Sequence, residues 1–347
     1  MARIAERGRS TSVGMPPRRA VAVLLLLLIW LPGGTTQRDV DLPGLVSFGE
    51  VPAAVAGAGD PDPAGDEAAV LSPAQLQRTV AQHRELPDAG RAQLDGLLDA
   101  LTGPARGYLL KAFAAGHSLA ELTVFAHAIA GRDANWLRTR LNPIDPHEPG
   151  LVHFRGYLIR QYDGTSCGST AIVVAHAITD PIFALQLTTG GGPDARDDTG
   201  ERFLARLKAE EHRVHGATNF VWPQLLGTPP WGVRDQMNQA AVGGGGRYQW
   251  TMVQGWIPGA ADAVLRQALL AVGHGYPVPV LVGDLIPRHY VLLVGRTSAG
   301  ALFYEPTSGA IVLISEDELR HRDFHALGLD RLVGAVLPMG PFSALDS

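Results

Sequence analysis

The chain holds a single cysteine, Cys167, in 347 residues. One cysteine makes no intrachain disulfide, so no bridge framework organises the fold. Lysine is nearly as scarce. Lys111 and Lys208 are the only two, and the other basic residues are arginine. Neither lysine stands in a G-x-x-x-x-G-K-[ST] context, which excludes a P-loop within this chain. An excess of positive charge is missing too. A net charge of −5 and a pI near 6.2 leave no general footprint for nucleic acid. The glycines Gly243 to Gly246 lack the G-x-G-x-x-G spacing and read as a flexible loop rather than a phosphate cradle. The residues in hand imply no cofactor and no metal. His212 with His215 and His321 with His325 have spacings seen in metal sites, but each lacks a matched further ligand.

With 46% hydrophobic and 18% charged residues, the chain can bury a core and is not a disordered polymer. Its basic residues are nearly all arginine, and Ala, Gly and Pro are abundant, which suggests a GC-rich bacterial origin.

Arg18-Arg19 precedes twelve apolar residues, Ala20 to Leu31, and Pro32-Gly33-Gly34 ends the run. Twelve residues are short for a bilayer span but suit the apolar region of an export signal. Residues 1–36 therefore read as a signal peptide or an N-terminal membrane anchor. Either one predicts a secreted or membrane-anchored protein working outside the cytoplasm. Residues 37–70, rich in Ala, Gly, Pro and Asp, read as a linker.

From residue 71 to 141 the pattern is helical. Ser72-Pro-Ala-Gln75 and Ser118-Leu-Ala-Glu121 are capping boxes, each opening a helix. Leu94, Leu97, Leu98 and Leu101 make an apolar stripe, and Pro104 to Ala115 reads as a further helix. This predicts a small helical bundle, ended by the Pro-rich link 142–150. Residues 151–340 read as mixed. Val152 to Ile159 alternates like a strand, and Ser169 to Ile178 is a nearly all-apolar, buried helix. Polar and amphipathic helices follow at Thr199 to Glu211 and Ala260 to Val272. Strands are expected at 278–282, 290–294, 302–304, 311–314 and 332–337. A buried helix followed by an antiparallel meander is an α+β order.

The surroundings of Cys167 suit a nucleophile. It follows Gln161-Tyr-Asp-Gly-Thr-Ser, where a turn becomes a helix. Only a thiolate attacks, and helix N-termini favour negative charge. Gly168 would let a substrate backbone approach closely. The amide of Gln161, with the Cys167 backbone N–H, could hold an oxyanion. His289 opens the apolar strand Tyr290-Val-Leu-Leu-Val and is the candidate base and acid. Glu305 ends the next strand before Pro306, so hairpin pairing should bring it near His289 and let it orient the imidazole. Asp284 is the alternative orienting carboxylate.

The order Gln161, Cys167-Gly168, His289-Tyr290, Glu305-Pro306 resembles the papain-like cysteine peptidases. It is most similar to the branch resembling bacteriocin-leader, or double-glycine, peptidases. The resemblance covers roughly 151–337. It implies a papain-like domain, a Cys-His-acid triad, a thioacyl-enzyme and a peptide or protein substrate. Three features depart from that branch: Glu305 stands in the usual Asp place, the stretch between Cys167 and His289 is long, and no transporter follows. A transglutaminase-like acyl transfer and a non-catalytic peptide-binding module remain open. A cell-wall amide hydrolase fits less well, because Ser-Cys-Gly-Ser stands where that branch has Asp-Cys-Ser-Gly. Trp222, Trp231, Trp250 and Trp256 fall in the long middle stretch and read either as a cleft wall or as core beneath a loop.

Overall fold

A computed structural model describes residues 70–191, 198–219, 227–239, 242, 246–284, 287–329 and 331–339. The expected signal or anchor, the linker as far as residue 69, Trp222 and Gly243 to Gly245 lie outside the described residues.

Five helices come first: α1 (Pro73–Glu85), α2 (Asp88–Asp99), α3 (Pro104–Ala114), α4 (Leu119–Ile129) and α5 (Ala134–Leu141). Local chemistry fixes their starts. Ser72 and Ser118 each form a full capping box, with Gln75 and Glu121 answering at the third helical position. Asp133 caps α5, a helix the periodicity did not reveal. The stripe Leu94, Leu98, Leu101 packs with Leu109, Leu122, Ile129 and Leu141 in one apolar cluster. Leu185, from beyond the Pro-rich link, completes that cluster. The link itself is packed down: Ile144 is buried, and the Pro146 carbonyl closes on Gly295 so tightly that a Cβ there would sit 2.7 Å away.

The expected strand over Val152 to Ile159 is broken. Arg155 and Gly156 adopt φ of +51° and +84° and turn the chain back on itself. The result is a two-residue hairpin, β2 (His153–Phe154) against β3 (Tyr157–Leu158). Before it, β1 (Gly150–Leu151) adds to the main sheet.

The buried helix is α6 (Cys167–Thr179). It bends by 114° into α7 (Pro181–Thr189), where Asp180 caps the new start through the amides of Ile182 and Phe183. Two helices follow, α8 (Gly200–Thr218) and α9 (Pro230–Met237). Next come β4 (Arg247–Met252), α10 (Ala260–Gly273), β5 (Val278–Gly283), β6 (Pro287–Thr297), β7 (Gly300–Glu305), β8 (Ala310–Ser315), α11 (Glu316–His321) and β9 (Arg331–Met339). The seven-stranded sheet runs β1-β8-β7-β6-β5-β9-β4, with each neighbouring pair antiparallel. The architecture is α+β.

The sheet is not a plain meander. β9 inserts between β5 and β4; in β4, Tyr248, Trp250 and Met252 alternate with Gln249 and Thr251, a strand signal that was present in the sequence. Both sheet faces are covered. Along β6, Tyr290, Leu292 and Val294 turn toward the cluster that contains α6, whereas Val291 and Leu293 turn toward the cluster built on α10. Alternation of side chains across a strand explains why β6 is apolar on both faces. Each such side chain, fully buried, contributes roughly 1.5–3 kcal/mol before entropy is counted. Among the described residues, no single helix is long and apolar enough to cross a membrane.

Candidate active site

The helix carrying the sulfur begins at Cys167 itself. Its cap residue, Ser166, makes no side-chain capping bond. The first-turn amides point at the end of the helix where Cys167 stands. The turn before it is tied by its own polar groups. Asp163 Oδ1 accepts from the Thr165 amide at 2.8 Å and from the Thr165 hydroxyl at 2.9 Å. The Asp163 amide donates to Ser166 Oγ at 3.2 Å. Burial pushes the Asp163 carboxyl up, but those donors outweigh it and hold the group below its ordinary value.

The sequence separates this turn from β6 and β7, and the hairpin brings them together. The Tyr304 hydroxyl donates to the Ile159 carbonyl at 2.7 Å, and the Gln161 backbone N–H donates to the Pro306 carbonyl at 2.9 Å. Gly309 has φ of +68° and lies so close to the Ile159 carbonyl that a Cβ would meet it at 2.5 Å. Glycine is needed there for both reasons.

His289 sits where the β5–β6 register slips, between its partner Val282 and Gly283. Such irregularities re-aim a side chain beside a site. Its Nε2 lies 2.7 Å from Glu305 Oε1, and the Cys167 side chain is near enough to bear on the protonation of the ring. Because Nε2 faces the carboxylate, Nδ1 is the nitrogen left for the sulfur. The Tyr290 backbone N–H donates to Cys167 Sγ at 3.5 Å. Continuing the Leu292–Tyr304 register by one step sets Glu305 across from Val291, a diagonal neighbour of His289 on one face.

Electrostatics follow from this geometry. Burial lowers the His289 pKa, but the hydrogen bonds and charges of Cys167 and Glu305 outweigh it and raise the value to about 9. Burial raises Glu305, yet the bond from His289 and the turn donors bring it down to about 2. The turn donors are the amides of Thr307 and Ser308, each 2.7 Å from a Glu305 oxygen. The pair is thus an imidazolium and a carboxylate at neutral pH. The longer reach of glutamate is taken up by its own turn, which clamps the carboxyl at its far end.

Gln161 behaves less simply. Its Nε2 donates to the Asp163 carbonyl at 2.8 Å, and its Oε1 is buried with no hydrogen-bond partner. One amide hydrogen is spent within the turn and one remains. Asp284 lies on an exposed bend after β5, whereas Glu305 is the carboxylate that touches the imidazole.

Gly168 is crowded by the chain's own Thr228, whose Cβ would stand 2.6 Å from a Cβ built on Gly168. Thr228 Oγ1 is buried and without a partner. Sequence reading could not find this contact, because the two residues are far apart and Thr228 belongs to no motif. The sulfur is well covered, with Cys167 only 4% exposed.

Three of the other histidines have partners elsewhere: His176 bonds Asp180 and stacks on Phe183, His212 lies against Tyr162 with the rings tilted, and His321 lies against Asp317. Trp250 packs on the core, whereas Trp256 and Trp231 are exposed. Among the described residues, no group of three or more His, Cys, Asp or Glu side chains is placed to hold a metal. No protein-family model matches this chain, and no curated protein matches it either.

Proposed function

We propose that this chain is a papain-like cysteine hydrolase, exported by its N-terminal apolar segment, that cleaves a peptide or amide bond. The observation that carries the reading is one juxtaposition: Cys167 at the first position of a buried helix, its sulfur taking the amide of Tyr290 next to His289, and Nε2 of the His289 ring 2.7 Å from Glu305. Helix start, strand start and strand end supply nucleophile, base and orienter in the order of that superfamily.

In the forward step the thiolate of Cys167 attacks the carbonyl carbon, and the π electrons move onto oxygen. The Cys167 backbone N–H and the remaining Gln161 amide hydrogen donate to that oxyanion. Imidazolium His289 gives its proton to the leaving amine as the C–N bond breaks, leaving a thioester. Neutral His289 then takes a proton from water, hydroxide adds to the thioester, and the thiolate leaves. Glu305 keeps the imidazole in its tautomer and stabilises its charge.

The near-complete cover of the sulfur favours one rival, a fold kept for binding peptides without cleaving them. Iodoacetamide separates the two. Alkylation of Cys167 at pH 6 well above the rate of a free thiol supports the enzyme. A rate at or below that of a free thiol would sink it. Release of free amine from a peptide library, against incorporation of an added amine, then distinguishes hydrolysis from acyl transfer.

A further inference from the structure

Helix α8 carries Glu211 into the core behind the helix of Cys167, and the residue is 1% exposed. The Thr170 hydroxyl lies 2.6 Å from Glu211 Oε1 and 2.9 Å from the carbonyl of Ser166, the residue before Cys167. A hydroxyl has one hydrogen, and a carbonyl or carboxylate only accepts. If Glu211 were ionised, Thr170 could serve one oxygen and would face the other, at hydrogen-bonding distance, with no hydrogen between. A protonated carboxyl removes the conflict: Glu211 donates to Thr170, and Thr170 donates to Ser166. The Ser169 hydroxyl, at 2.8 Å, and the Thr170 amide, at 2.9 Å, converge on the same carbonyl.

The surroundings favour the neutral acid. Asp163 and Tyr162 face Glu211 from the turn before Cys167, and Tyr304 faces it from β7. On its own helix, His215 is pushed down by burial, Lys208 is exposed, Glu210 pairs with Arg213, and His212 lies on Tyr162. On α9, Arg234 pairs with Asp235 at the exposed side. α7 presents Thr188 and Thr189 and no charge.

We propose that Glu211 is a positioning residue held as the neutral acid, which donates through Thr170 into the Ser166 carbonyl and so fixes the turn from which Cys167 projects. Burial, the largest cause, together with the nearby Asp163 charge, raises its pKa to about 8. Above that value the Thr170 hydrogen turns toward the carboxylate, the Ser166 carbonyl loses a donor, and a negative charge appears beside the first turn of α6. Since the pKa in the folded protein is raised from 4.5, this group's stabilisation is complete below about 4.5 and is lost as pH rises through about 8. The role of the turn rests on Cys167 being the nucleophile; the protonation state does not.

The test compares the full chain with Glu211→Gln, whose amide keeps a donor, and Glu211→Ala. The infrared difference between wild type and Glu211→Gln at pH 6.5 should contain the carbonyl stretch of a protonated carboxyl, shifted in heavy water and lost near pH 8. The melting temperature of wild type should fall more than that of Glu211→Gln between pH 6 and 9. Iodoacetamide labelling of Cys167 at pH 7 should be preserved in Glu211→Gln and slowed about tenfold in Glu211→Ala, the effect of losing one buried hydrogen bond. Absence of the protonated-carboxyl band, or identical pH profiles of stability, would overturn the proposal even if Glu211→Ala failed to fold. If the band is present but wild-type Cys167 reacts like a free thiol, the cysteine-hydrolase reading falls while the neutral Glu211 stands.

Discussion

His289 and Glu305 meet through a single short contact, Nε2 to Oε1 at 2.7 Å, and the same carboxyl is clamped by two amides of its own turn. The imidazole is therefore oriented by a group that cannot swing away without breaking the turn. Replacing Glu305 with Gln keeps the shape and removes the charge. The His289 pKa should then drop from about 9 toward its ordinary range, because one of the two partners that raise it is neutralised. A titration of the His289 ring by NMR would read this directly, and an unchanged pKa would remove Glu305 from the orienting role.

Removing the ring tests the other side of the pair. A free thiol near pKa 8.5 is under 1% thiolate at pH 6, so an ion pair can speed alkylation by roughly a hundredfold, less what lower basicity costs in nucleophilicity. His289→Ala should return Cys167 to the slow rate at pH 6 and leave it little changed at pH 9.5. Mass spectrometry of the labelled chain over time gives both rates. Equal rates for wild type and variant at pH 6 would show that the sulfur gains nothing from the ring.

Gln161 separates two kinds of reaction at one sulfur. Alkylation develops no oxyanion, whereas attack on a carbonyl does. Gln161→Ala should leave iodoacetamide labelling within about twofold of wild type while slowing peptide cleavage by roughly 100- to 1,000-fold. A variant that slows labelling as strongly as cleavage would instead place Gln161 in the structure of the turn, through its bond to the Asp163 carbonyl.

Gly168 is held small by Thr228. Gly168→Ala places a Cβ 2.6 Å from the Thr228 Cβ, so one of the two must shift, at about 1–3 kcal/mol. Denaturant midpoints should fall accordingly. Thr228→Gly, costly alone, should add less than its own penalty in the Gly168→Ala background. Strict additivity of the two would show that the contact does not limit the site.

Stability should also track the charged pair. The raised His289 value contributes stability that is fully present below about 6.5 and lost as pH rises through about 9. The depressed Glu305 value contributes stability that is present above about 4.5 and lost as pH falls through about 2. Both are in force between roughly 4.5 and 6.5. In Glu305→Gln the acid limb of the wild-type melting curve should flatten, and its alkaline limb should move to lower pH. Calorimetry across pH 3 to 10 measures both limbs.

Local signals were legible where the chain acts on itself. The capping boxes of Ser72 and Ser118, the Gly309 turn between β7 and β8 and the apolar run of α6 are short-range chemistry, and the sequence locates each within a few residues. The helix α7 was also within reach, since Asp180-Pro181 is a cap followed by a first-turn proline. The broken strand at Arg155-Gly156 was harder. Alternation of apolar residues there follows the two faces of a tiny hairpin as well as it follows a strand.

By itself the sequence determined the candidate nucleophile, because only one sulfhydryl exists and a turn-to-helix boundary surrounds it. It also determined the candidate histidine and glutamate, because hairpin pairing is a matter of spacing. Tertiary structure alone decided what touches what: Tyr290 against the sulfur, Thr228 over Gly168, and Glu211 behind Thr170. Those partners come from elements tens of residues or more away, and no local preference encodes which of them close packing brings together. The protonation of a buried carboxyl is likewise a property of its surroundings, so it exists only once α6 and α8 have packed.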